Sequence, residues 1–440
     1  MSSRYQSADV DPSPLGQPLH FAFSNRTVPN RFLKGAMAEN LSSWSPTDRP
    51  SRGVPTDEVV NVYRRWGEGG IGLIVTGNIM TDYEHFEAKG NPVIAKDAPF
   101  EGERFERFKE IAREAKREGS VVVAQLGHPG RQVKDNVTKD PMSASDVQLK
   151  IEGPPGAIAF AKPRAATLQD IRGITEAFTH AAVYLEKAGF DGIQLHGAHG
   201  FLLAQFLSKT TNLRTDAYGG SLTNRARLIV EIAQSIRRAT SPSFILGIKI
   251  NSQEWQADGF QAEEAAELVR ILEESTFDFV ELSGGTFAAS GFHHRRESTK
   301  EREAFFLEFA EKIVPGLTKT RAYVTGGFKT VGAMVHALDI VDGVGLGRPL
   351  TQEPTLCKDI LERKVRAVIE QKLDPNDFGT TLAAAGVQIR QLGKGEEPAD
   401  FSVQANVDGF LKGLPEWTQR FADDKEGKEY GYFDLTAVAA

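Results

Sequence analysis

The alternation of eight short apolar segments with amphipathic helical segments constrains the fold of this chain more than any other feature. Several of the apolar segments are nearly continuous, for example Val121-Val-Val-Ala and Phe244-Ile-Leu-Gly-Ile. Continuous runs of this kind are typical of strands that are buried on both faces, as in parallel sheets. The predicted strands are Arg31–Ala38, Gly72–Ile79, Val121–Leu126, Gly192–His196, Ile245–Ile250, Phe279–Leu282, Ala322–Thr325 and Gly343–Leu346.

The helical segments complete a repeat of strand followed by helix. The clearest predicted helices are Phe105–Glu118, Ile171–Ala188, Arg225–Arg238, Ala262–Glu274 and Arg302–Ile313. Strands that alternate with helices predict a parallel sheet, and eight such units predict an α/β fold closed into a (β/α)8 TIM barrel. An open doubly wound sheet is the alternative. Such a sheet normally has a glycine-rich fingerprint directly after its first strand, which Lys34–Asn40 does not supply.

The remaining sequence is predicted to extend the barrel at both ends. Residues 1–30 form an N-terminal segment, in which the apolar and polar alternation of Pro18–Pro29 predicts a hairpin that closes the barrel floor. Residues 31–355 form the barrel itself. Residues 356–440 form a C-terminal extension that begins with a helical run from about Pro354 to Leu373. We expect this extension to pack on the barrel or on a neighbouring subunit.

Composition narrows the range of partners and compartments. A net charge of −7 argues against nucleic acid and anionic membranes, since both bind clustered Lys and Arg. The single cysteine, Cys357, excludes an intramolecular disulfide and any multi-cysteine metal site. No stretch approaches the roughly 18 apolar residues of a membrane span, and Met1–Pro14 lacks the apolar core of a signal peptide. We therefore expect a cytoplasmic protein that binds a small molecule, with a homo-oligomer left open.

The ends of the last two predicted strands carry glycines and one arginine. Gly326 and Gly327 follow the seventh strand, and Gly347 and Arg348 follow the eighth. In a TIM barrel the site lies at the C-terminal ends of the strands. Glycines let backbone N–H groups approach an anion there, and the N-terminus of a short helix adds its dipole. These two strand ends therefore predict a phosphate site.

Two histidines, His196 and His199, follow the fourth predicted strand. Imidazoles at this spacing can bind a metal or can jointly donate hydrogen bonds to a carbonyl oxygen. A metal site needs a third ligand. His128 is the nearest candidate, and we identify no carboxylate at a neighbouring strand end. We therefore expect no metal and favour the hydrogen-bonding role.

The sequence around these histidines resembles the old yellow enzyme family of FMN-dependent ene-reductases, on the branch that has a His–His pair. The resemblance covers about Leu19 to Pro354. Four segments carry it: His196-Gly-Ala-His-Gly-Phe-Leu-Leu-Ala-Gln-Phe-Leu-Ser, Asn212-Leu-Arg-Thr-Asp-Ala-Tyr-Gly-Gly-Ser, Gln125-Leu-Gly-His-Pro-Gly-Arg and Gly345-Leu-Gly-Arg-Pro-Leu. The resemblance implies a bound FMN that is reduced by NADH or NADPH. It also implies an alkene activated by an electron-withdrawing group as the substrate.

The resemblance further implies roles for individual residues. Gln125 would hydrogen-bond the pyrimidine edge of the flavin, and Lys249, where many members have an arginine, would stabilise the negative charge of the reduced flavin. His196 and His199 would hold the carbonyl of the substrate and stabilise developing enolate charge. The residues implied to line the flavin or to hold its phosphate are Ala36, Met37, Ala38, Gly77, Gln125, Lys249, Gly326, Gly327, Gly347 and Arg348.

Phe201 departs from the family pattern. Members usually have a tyrosine there, which donates a proton to the substrate carbon opposite the hydride, and a phenyl ring has no proton to give. Either water or a tyrosine such as Tyr83 or Tyr218 replaces this donor, or the net reaction is an isomerisation or a desaturation. Two other classes stay open at this point: a barrel lyase or isomerase that uses no flavin, and a flavin-binding scaffold without catalysis.

Ala38 is the second departure and gives a testable prediction. The family typically has Thr or Cys at this position, which hydrogen-bonds flavin O4 or N5. Alanine makes no such bond, so one interaction that favours the reduced flavin is missing. We expect Ala38→Thr to raise the reduction potential of the flavin, as measured by spectroelectrochemical titration beside the wild type. An unchanged or lower potential would show that this position does not tune the flavin.

Overall fold

The computed structural model describes residues 2–150, 159–251, 260–283 and 307–436. Within these ranges the chain forms thirteen strands and eleven helices that we label. The strands are β1 (Leu19–Phe21), β2 (Arg26–Val28), β3 (Phe32–Lys34), β4 (Leu73–Val75), β5 (Ile79–Met80), β6 (Val121–Gly127), β7 (Met142–Ser143), β8 (Arg164–Ala165), β9 (Gly192–Gly197), β10 (Ile245–Asn251), β11 (Phe279–Ser283), β12 (Arg321–Thr325) and β13 (Gly343–Leu346).

The helices alternate with the barrel strands and continue beyond the last of them. They are α1 (Asp57–Gly67), α2 (Gly102–Ala115), α3 (Leu168–Lys187), α4 (Leu202–Leu207), α5 (Leu222–Ala239), α6 (Ala262–Glu274), α7 (Val331–Ala337), α8 (Pro349–Gln352), α9 (Leu356–Leu361), α10 (Phe378–Gly393) and α11 (Gln404–Asp423). Residues 307–313 are also helical. The first part of the predicted helix Arg302–Ile313 lies outside the described residues.

Eight parallel strands close into a ring in the order β3, β4, β6, β9, β10, β11, β12, β13, and β13 pairs back with β3. The closure confirms the predicted (β/α)8 barrel and excludes the open sheet. Every residue of β6, β9 and β10 is buried, because side chains fill the barrel inside and helices cover it outside.

The first two barrel strands are shorter than predicted. The segment predicted as Arg31–Ala38 pairs as a strand only over β3, and the segment predicted as Gly72–Ile79 is divided between β4 and β5. Beyond Lys34 the Gly35 N–H still donates to the Leu346 carbonyl (2.8 Å), and the chain then leaves the ladder. Residues 36–38 are consequently free to form part of the rim at the C-terminal end of the barrel.

The N-terminal hairpin lies at the opposite end, as predicted. β1 and β2 pair antiparallel, and Asn25 adopts a left-handed backbone (φ 55°) in the turn. The Phe21 ring stacks on the ring of Phe279 (centroids 5.6 Å apart), which points from β11 into the barrel. Asp278, one residue before β11, accepts a hydrogen bond from the Ser24 N–H of the hairpin (2.8 Å).

The helical run predicted from Pro354 to Leu373 is wrong in its length, because α9 ends at Leu361. Arg363 adopts a left-handed backbone (φ 60°) and its N–H donates to the Ile360 carbonyl, while the Lys364 N–H donates to the Asp359 carbonyl. This is the hydrogen-bond pattern of a Schellman helix end. Glycine usually occupies the left-handed position, so an arginine there gave no signal in the sequence.

The C-terminal extension contains two further helices that were not predicted. α10 packs against α1, where the Asn61 side chain donates to the Gly393 carbonyl (3.0 Å). α11 and the residues that follow it share an apolar cluster with α10, which includes Val387 and Phe410. No helix in the described ranges has both the length and the apolar character needed to cross a membrane.

The buried carboxylate of Asp278 generates a prediction about stability. Besides Ser24, it accepts a hydrogen bond from the Leu246 N–H (2.9 Å) and pairs with the Arg237 guanidinium (2.9 Å). Asp278→Ala leaves two buried N–H groups and one cation without this acceptor. We therefore expect it to lower the free energy of unfolding by roughly 3 kcal/mol.

Urea denaturation of the purified variants measures this effect. Asp339→Ala is the matched control, because the Asp339 side chain is 74% exposed and its partner His336 is 71% exposed. A loss for Asp278→Ala no larger than that for Asp339→Ala would show that this carboxylate does not hold the floor to the barrel.

Candidate active site

The end of β9 brings the two predicted histidines together at the C-terminal rim of the barrel. The imidazole rings of His196 and His199 lie 5.2 Å apart between centroids. The His199 backbone is left-handed (φ 56°), and its N–H donates to the Asn251 side-chain oxygen at the end of β10 (3.1 Å). The His199 Nε2 is 3.0 Å from the Ser283 Oγ at the end of β11. Three neighbouring strand ends therefore fix the orientation of His199.

Both imidazoles are neutral at physiological pH. Burial lowers the pKa of His199 to about 3, and the nearby Lys249 ammonium lowers it further in the same direction. Burial, together with His199 and Lys249, lowers the pKa of His196 well below its ordinary value. A neutral imidazole offers one N–H donor and one acceptor. The buried His196 Nδ1 has no hydrogen-bond partner within the described residues, which is the state expected of an atom that meets a ligand.

Phe201 lies directly against this pair. Its ring centroid is 4.2 Å from that of His196, and the ring belongs to an apolar cluster with Met80, Phe86 and Val93. Tyr83 packs against the same cluster. The Tyr218 hydroxyl instead donates to the Glu231 carboxylate on α5 (2.9 Å). Of the two tyrosines considered as replacement proton donors, Tyr83 is therefore the one in the same cluster as Phe201.

Four polar side chains form a continuous chain across the barrel interior. The Gln125 Nε2 donates to the Gln194 Oε1 (2.7 Å), and the Gln194 Nε2 donates to the Glu281 Oε2 (2.7 Å). The Glu281 Oε1 lies 3.0 Å from the Lys249 Nζ. The strand register also places Lys249 between Glu281 and His196. Gln125 and Lys249 are thus held in one network at the same end of the barrel as the histidines.

The network includes a carboxylate that the sequence did not single out. Glu281 lies on β11, which is separated from the His196 strand by β10, two residues before the strand ends, and it is fully buried. Its carboxylate is paired with Lys249 and bonded to Gln194. Glu281 is therefore an ion-pair partner and not a third ligand beside the histidines.

The residues predicted to line a flavin ring converge at the neighbouring strand ends. A Cβ on Gly77 would lie 2.4 Å from the Met37 carbonyl oxygen, so only glycine allows this approach. A Cβ on Gly347 would have one neighbour within 4 Å, the Met37 Sδ at 3.8 Å. Ala36, Met37 and Ala38 are each partly exposed. The ends of β3, β4 and β13 therefore form one wall, with Met37 between two glycines.

The predicted phosphate residues lie at the ends of β12 and β13. Gly326 and Gly327 have φ values of 141° and 78°, which glycine adopts without strain. Arg348 precedes α8, and its Nη1 donates to the Thr381 Oγ1 on α10 (2.5 Å). Glycine backbone at two neighbouring strand ends, with an arginine following one of them, suits an anion. With Gln125 and Lys249 available as hydrogen-bonding and cationic groups, these residues fit a flavin mononucleotide.

His128 lies in a different cluster from the one we considered for it. Its ring centroid is 4.7 Å from that of His85, and Asp82, His85 and His128 offer ligand atoms within 4.8 Å of one another. However, the Gly130 N–H donates to the His128 Nδ1 (3.0 Å). The proton of neutral His128 is then on Nε2, so this atom cannot also bind a metal. The arrangement agrees with the expectation of no metal but does not test it.

Several site residues were missed in the sequence. Gln194 and Glu281 are polar residues inside apolar parallel strands, and that exception to the pattern could have marked them. Glu39, which accepts hydrogen bonds from the Gly77 N–H (3.0 Å) and the Tyr63 hydroxyl, follows β3 without a comparable signal. Thr381 lies in the extension, and nothing in the sequence connects it with Arg348.

Comparison with known proteins gives consistent relationships. The sequence profile of the NADH:flavin oxidoreductase / NADH oxidase family matches residues 14–365. The NADH-dependent flavin oxidoreductase nadA of Aspergillus parasiticus is 49% identical over 423 residues, which cover 96% of this chain and 95% of that protein.

Two solved structures share the fold. Morphinone reductase superposes with a TM-score of 0.64 at 22% identity, over 82% of this chain and 92% of that one. A 2-naphthoyl-CoA reductase superposes with a TM-score of 0.72 at 20% identity, over 88% of this chain and 56% of that one. At these identities, both structures support the barrel fold alone.

The buried His128 gives a prediction about pH dependence. Burial lowers the pKa of His128 to about 3, with His85 acting in the same direction and Asp82 against it. Between about pH 6.5 and pH 3 the unfolded chain binds a proton at this residue that the folded chain does not, so stability falls as the pH falls. Between pH 7 and pH 5 we expect His128 to account for about 2 kcal/mol of this loss.

Urea denaturation at pH 7 and pH 5 tests this expectation. The pH-dependent loss should be smaller in His128→Gln than in the wild type by about that amount. His336→Gln is the control, because His336 is 71% exposed and its loss should match the wild type. An equal loss in His128→Gln and wild type would contradict a neutral buried His128.

Proposed function

The chain belongs to the NADH:flavin oxidoreductase / NADH oxidase family, and from this membership we propose that it uses NADH and FMN to reduce an activated alkene held by His196 and His199. One observation carries the substrate part of the proposal. Two neutral imidazoles lie side by side at the barrel rim, and one of them has a buried nitrogen without a partner in the described residues.

The flavin would be held by three groups of residues. The rim residues Ala36, Met37, Ala38 and Gly77 would contact the ring system from the side of β3 and β4. Gln125 and Lys249 would meet its pyrimidine edge. Backbone N–H groups at Gly326, Gly327 and Gly347, with the Arg348 guanidinium, would bind the phosphate. When bound, FMN supplies the ability to accept a hydride and to pass it to a substrate carbon.

His196 and His199 would bind the carbonyl oxygen of the substrate as hydrogen-bond donors. Their neutrality matters because an N–H that is held in place stabilises negative charge developing on that oxygen, without a net positive charge in the ground state. Lys249 lies beside His196 in the strand register and lowers the pKa of both imidazoles, so it places a cation near the same region. The contacts of His199 to Asn251 and Ser283 keep its ring in position, so little reorganisation is needed during the reaction.

NADH is proposed as the reductant because the Aspergillus relative is named as NADH-dependent. The sequence provides no glycine-rich fingerprint for a separate nicotinamide site after the first strand. We therefore propose that NADH and the substrate occupy the same pocket in turn.

Phe201 supports a second candidate outcome for the same site. Its ring contacts His196 in an apolar cluster, so the position from which relatives are expected to donate a proton carries no donor. Water or Tyr83 would complete a slow reduction. Without a donor, the enolate formed by hydride addition could rotate about its former double bond and return the hydride, which isomerises the alkene with no net oxidation or reduction. Desaturation of a ketone would instead need a base for the α-proton and an oxidant, such as a quinone, to take the electrons from the reduced flavin.

Product analysis decides among these outcomes. The purified protein should be yellow, should release FMN on denaturation and should lose its flavin colour when NADH is added. We would then supply cyclic enones, saturated ketones and quinones and identify the products by mass spectrometry. Protein that binds no flavin would contradict the proposal, and so would protein that bleaches with NADH but converts none of these compounds.

Phe201→Tyr tests the missing proton donor. If the lack of a proton donor at this position limits the reaction, the variant should reduce enones roughly 100-fold faster than the wild type. A positioned general acid contributes at least this much. Phe100→Tyr adds the same hydroxyl at a position 38% exposed on the surface and should have no effect. If Phe201→Tyr changes neither the rate nor the product, the altered-outcome hypothesis is wrong.

A further inference from the structure

We propose that Glu281 is a positioning residue that fixes which end of the Gln125 amide faces the flavin. This inference rests on the proposed FMN binding and goes beyond it by assigning a role to two residues in the barrel interior, Glu281 and Gln194. Both are completely buried, and neither belongs to the set of residues implied by the family resemblance.

The two oxygens of the Glu281 carboxylate face different partners. One carboxylate oxygen lies 3.0 Å from the Lys249 ammonium and the other is 2.7 Å from the Gln194 side-chain nitrogen. A carboxylate has no proton to donate and accepts hydrogen bonds only. Gln194 must therefore turn its NH₂ group toward Glu281.

The orientation of Gln194 determines that of Gln125. Once its nitrogen faces Glu281, its carbonyl oxygen is the atom that faces Gln125, and an oxygen can only accept. Gln125 must then donate through its nitrogen, as the 2.7 Å contact shows. The carboxylate on β11 thus fixes the orientation of the Gln194 amide on β9, and that amide fixes the orientation of the Gln125 amide on β6.

The consequence is a defined acceptor at the pyrimidine edge. Because the Gln125 nitrogen is turned toward Gln194, its Oε1 is on the other branch of the amide, and no residue in the described ranges donates a hydrogen bond to it. The flavin ring carries one N–H donor on its pyrimidine edge, at N3. An amide free to rotate could present either end, whereas this network presents the oxygen that N3–H requires.

The strand register fixes which side chains are neighbours in this network. The register of β6 with β9 places Gln125 directly beside Gln194, and that of β10 with β11 places Lys249 beside Glu281. These strands are buried throughout. Because water does not reach the buried side chains to replace a lost partner, each amide is held in the one orientation that satisfies its neighbour.

Binding of two flavins to the cofactor-free protein tests this role. The probes are FMN and 3-methyl-FMN, in which N3 has no hydrogen. The wild type should bind FMN at least about tenfold more tightly than 3-methyl-FMN, the factor expected for one buried hydrogen bond. In Glu281→Gln the amide orientation is no longer imposed, and this preference should fall below about threefold.

A second variant interrupts the relay and keeps the ion pair. Gln194→Leu leaves Glu281 and Lys249 in place but removes the connection to Gln125, so it should lose the preference to the same extent. Gln125→Leu removes the acceptor for N3–H, so it gives the ratio of the affinities for FMN and 3-methyl-FMN that is expected without this hydrogen bond. Glu267→Gln, on the exposed side of α6, removes one negative charge at the surface and should keep the wild-type preference.

The outcomes separate this inference from the proposed function. A wild type that binds neither flavin overturns the proposed function. A wild type with the preference, together with Glu281→Gln and Gln194→Leu variants that retain it in full, overturns the role of Glu281. If Glu281→Gln fails to fold, Gln194→Leu alone tests the role of Glu281. This variant keeps the ion pair with Lys249, so its preference for FMN over 3-methyl-FMN reports only on the connection to Gln125.

Discussion

The ion pair between Lys249 and Glu281 is the interaction around which the upper half of the barrel is organised. Placing two charges inside a protein costs free energy unless each is paired and its remaining hydrogen-bonding capacity is satisfied. Here the second carboxylate oxygen accepts a hydrogen bond from Gln194, and Lys249 lies directly beside the buried His196 in the strand register. The same cation that pairs with Glu281 also helps to keep both imidazoles neutral.

The half of the barrel nearer the N-terminal hairpin is packed differently from the half that holds this ion pair. Side chains such as Val75, Val123 and Ile245 fill it together with Phe21 from the hairpin, and this packing is apolar. Lys34 on β3 is also fully buried, and its charged group has partners of its own. Lys34 donates to the Val75 carbonyl (2.9 Å) above the Trp66 ring, and burial lowers the pKa of its ammonium to about 8. The polar site therefore rests on an apolar base that excludes water.

The sequence predicted the barrel well because its signals are local and repeated. Short apolar runs such as Val121–Leu126 favour buried strands, and the helix Ala262–Glu274 was predicted at its observed bounds. The histidine pair was identified because it follows such a run directly. Glu281 and Gln194 were overlooked because their partners are set by register between strands far apart in the chain. The left-handed Arg363 and the contact of Thr381 with Arg348 depend on tertiary packing that no local pattern reports.

The segment after α11 has a consequence for how the protein is made. The Trp44 indole donates to the Gly427 carbonyl (2.8 Å), across 383 positions of sequence, and the Lys89 ammonium donates to the same carbonyl (2.8 Å). Trp44 in turn packs against the apolar cluster that contains Phe201. During synthesis the barrel can close before this segment leaves the ribosome, since N-terminal parts fold first. The outer support of the Phe201 cluster is therefore completed only after Gly427 has been synthesised.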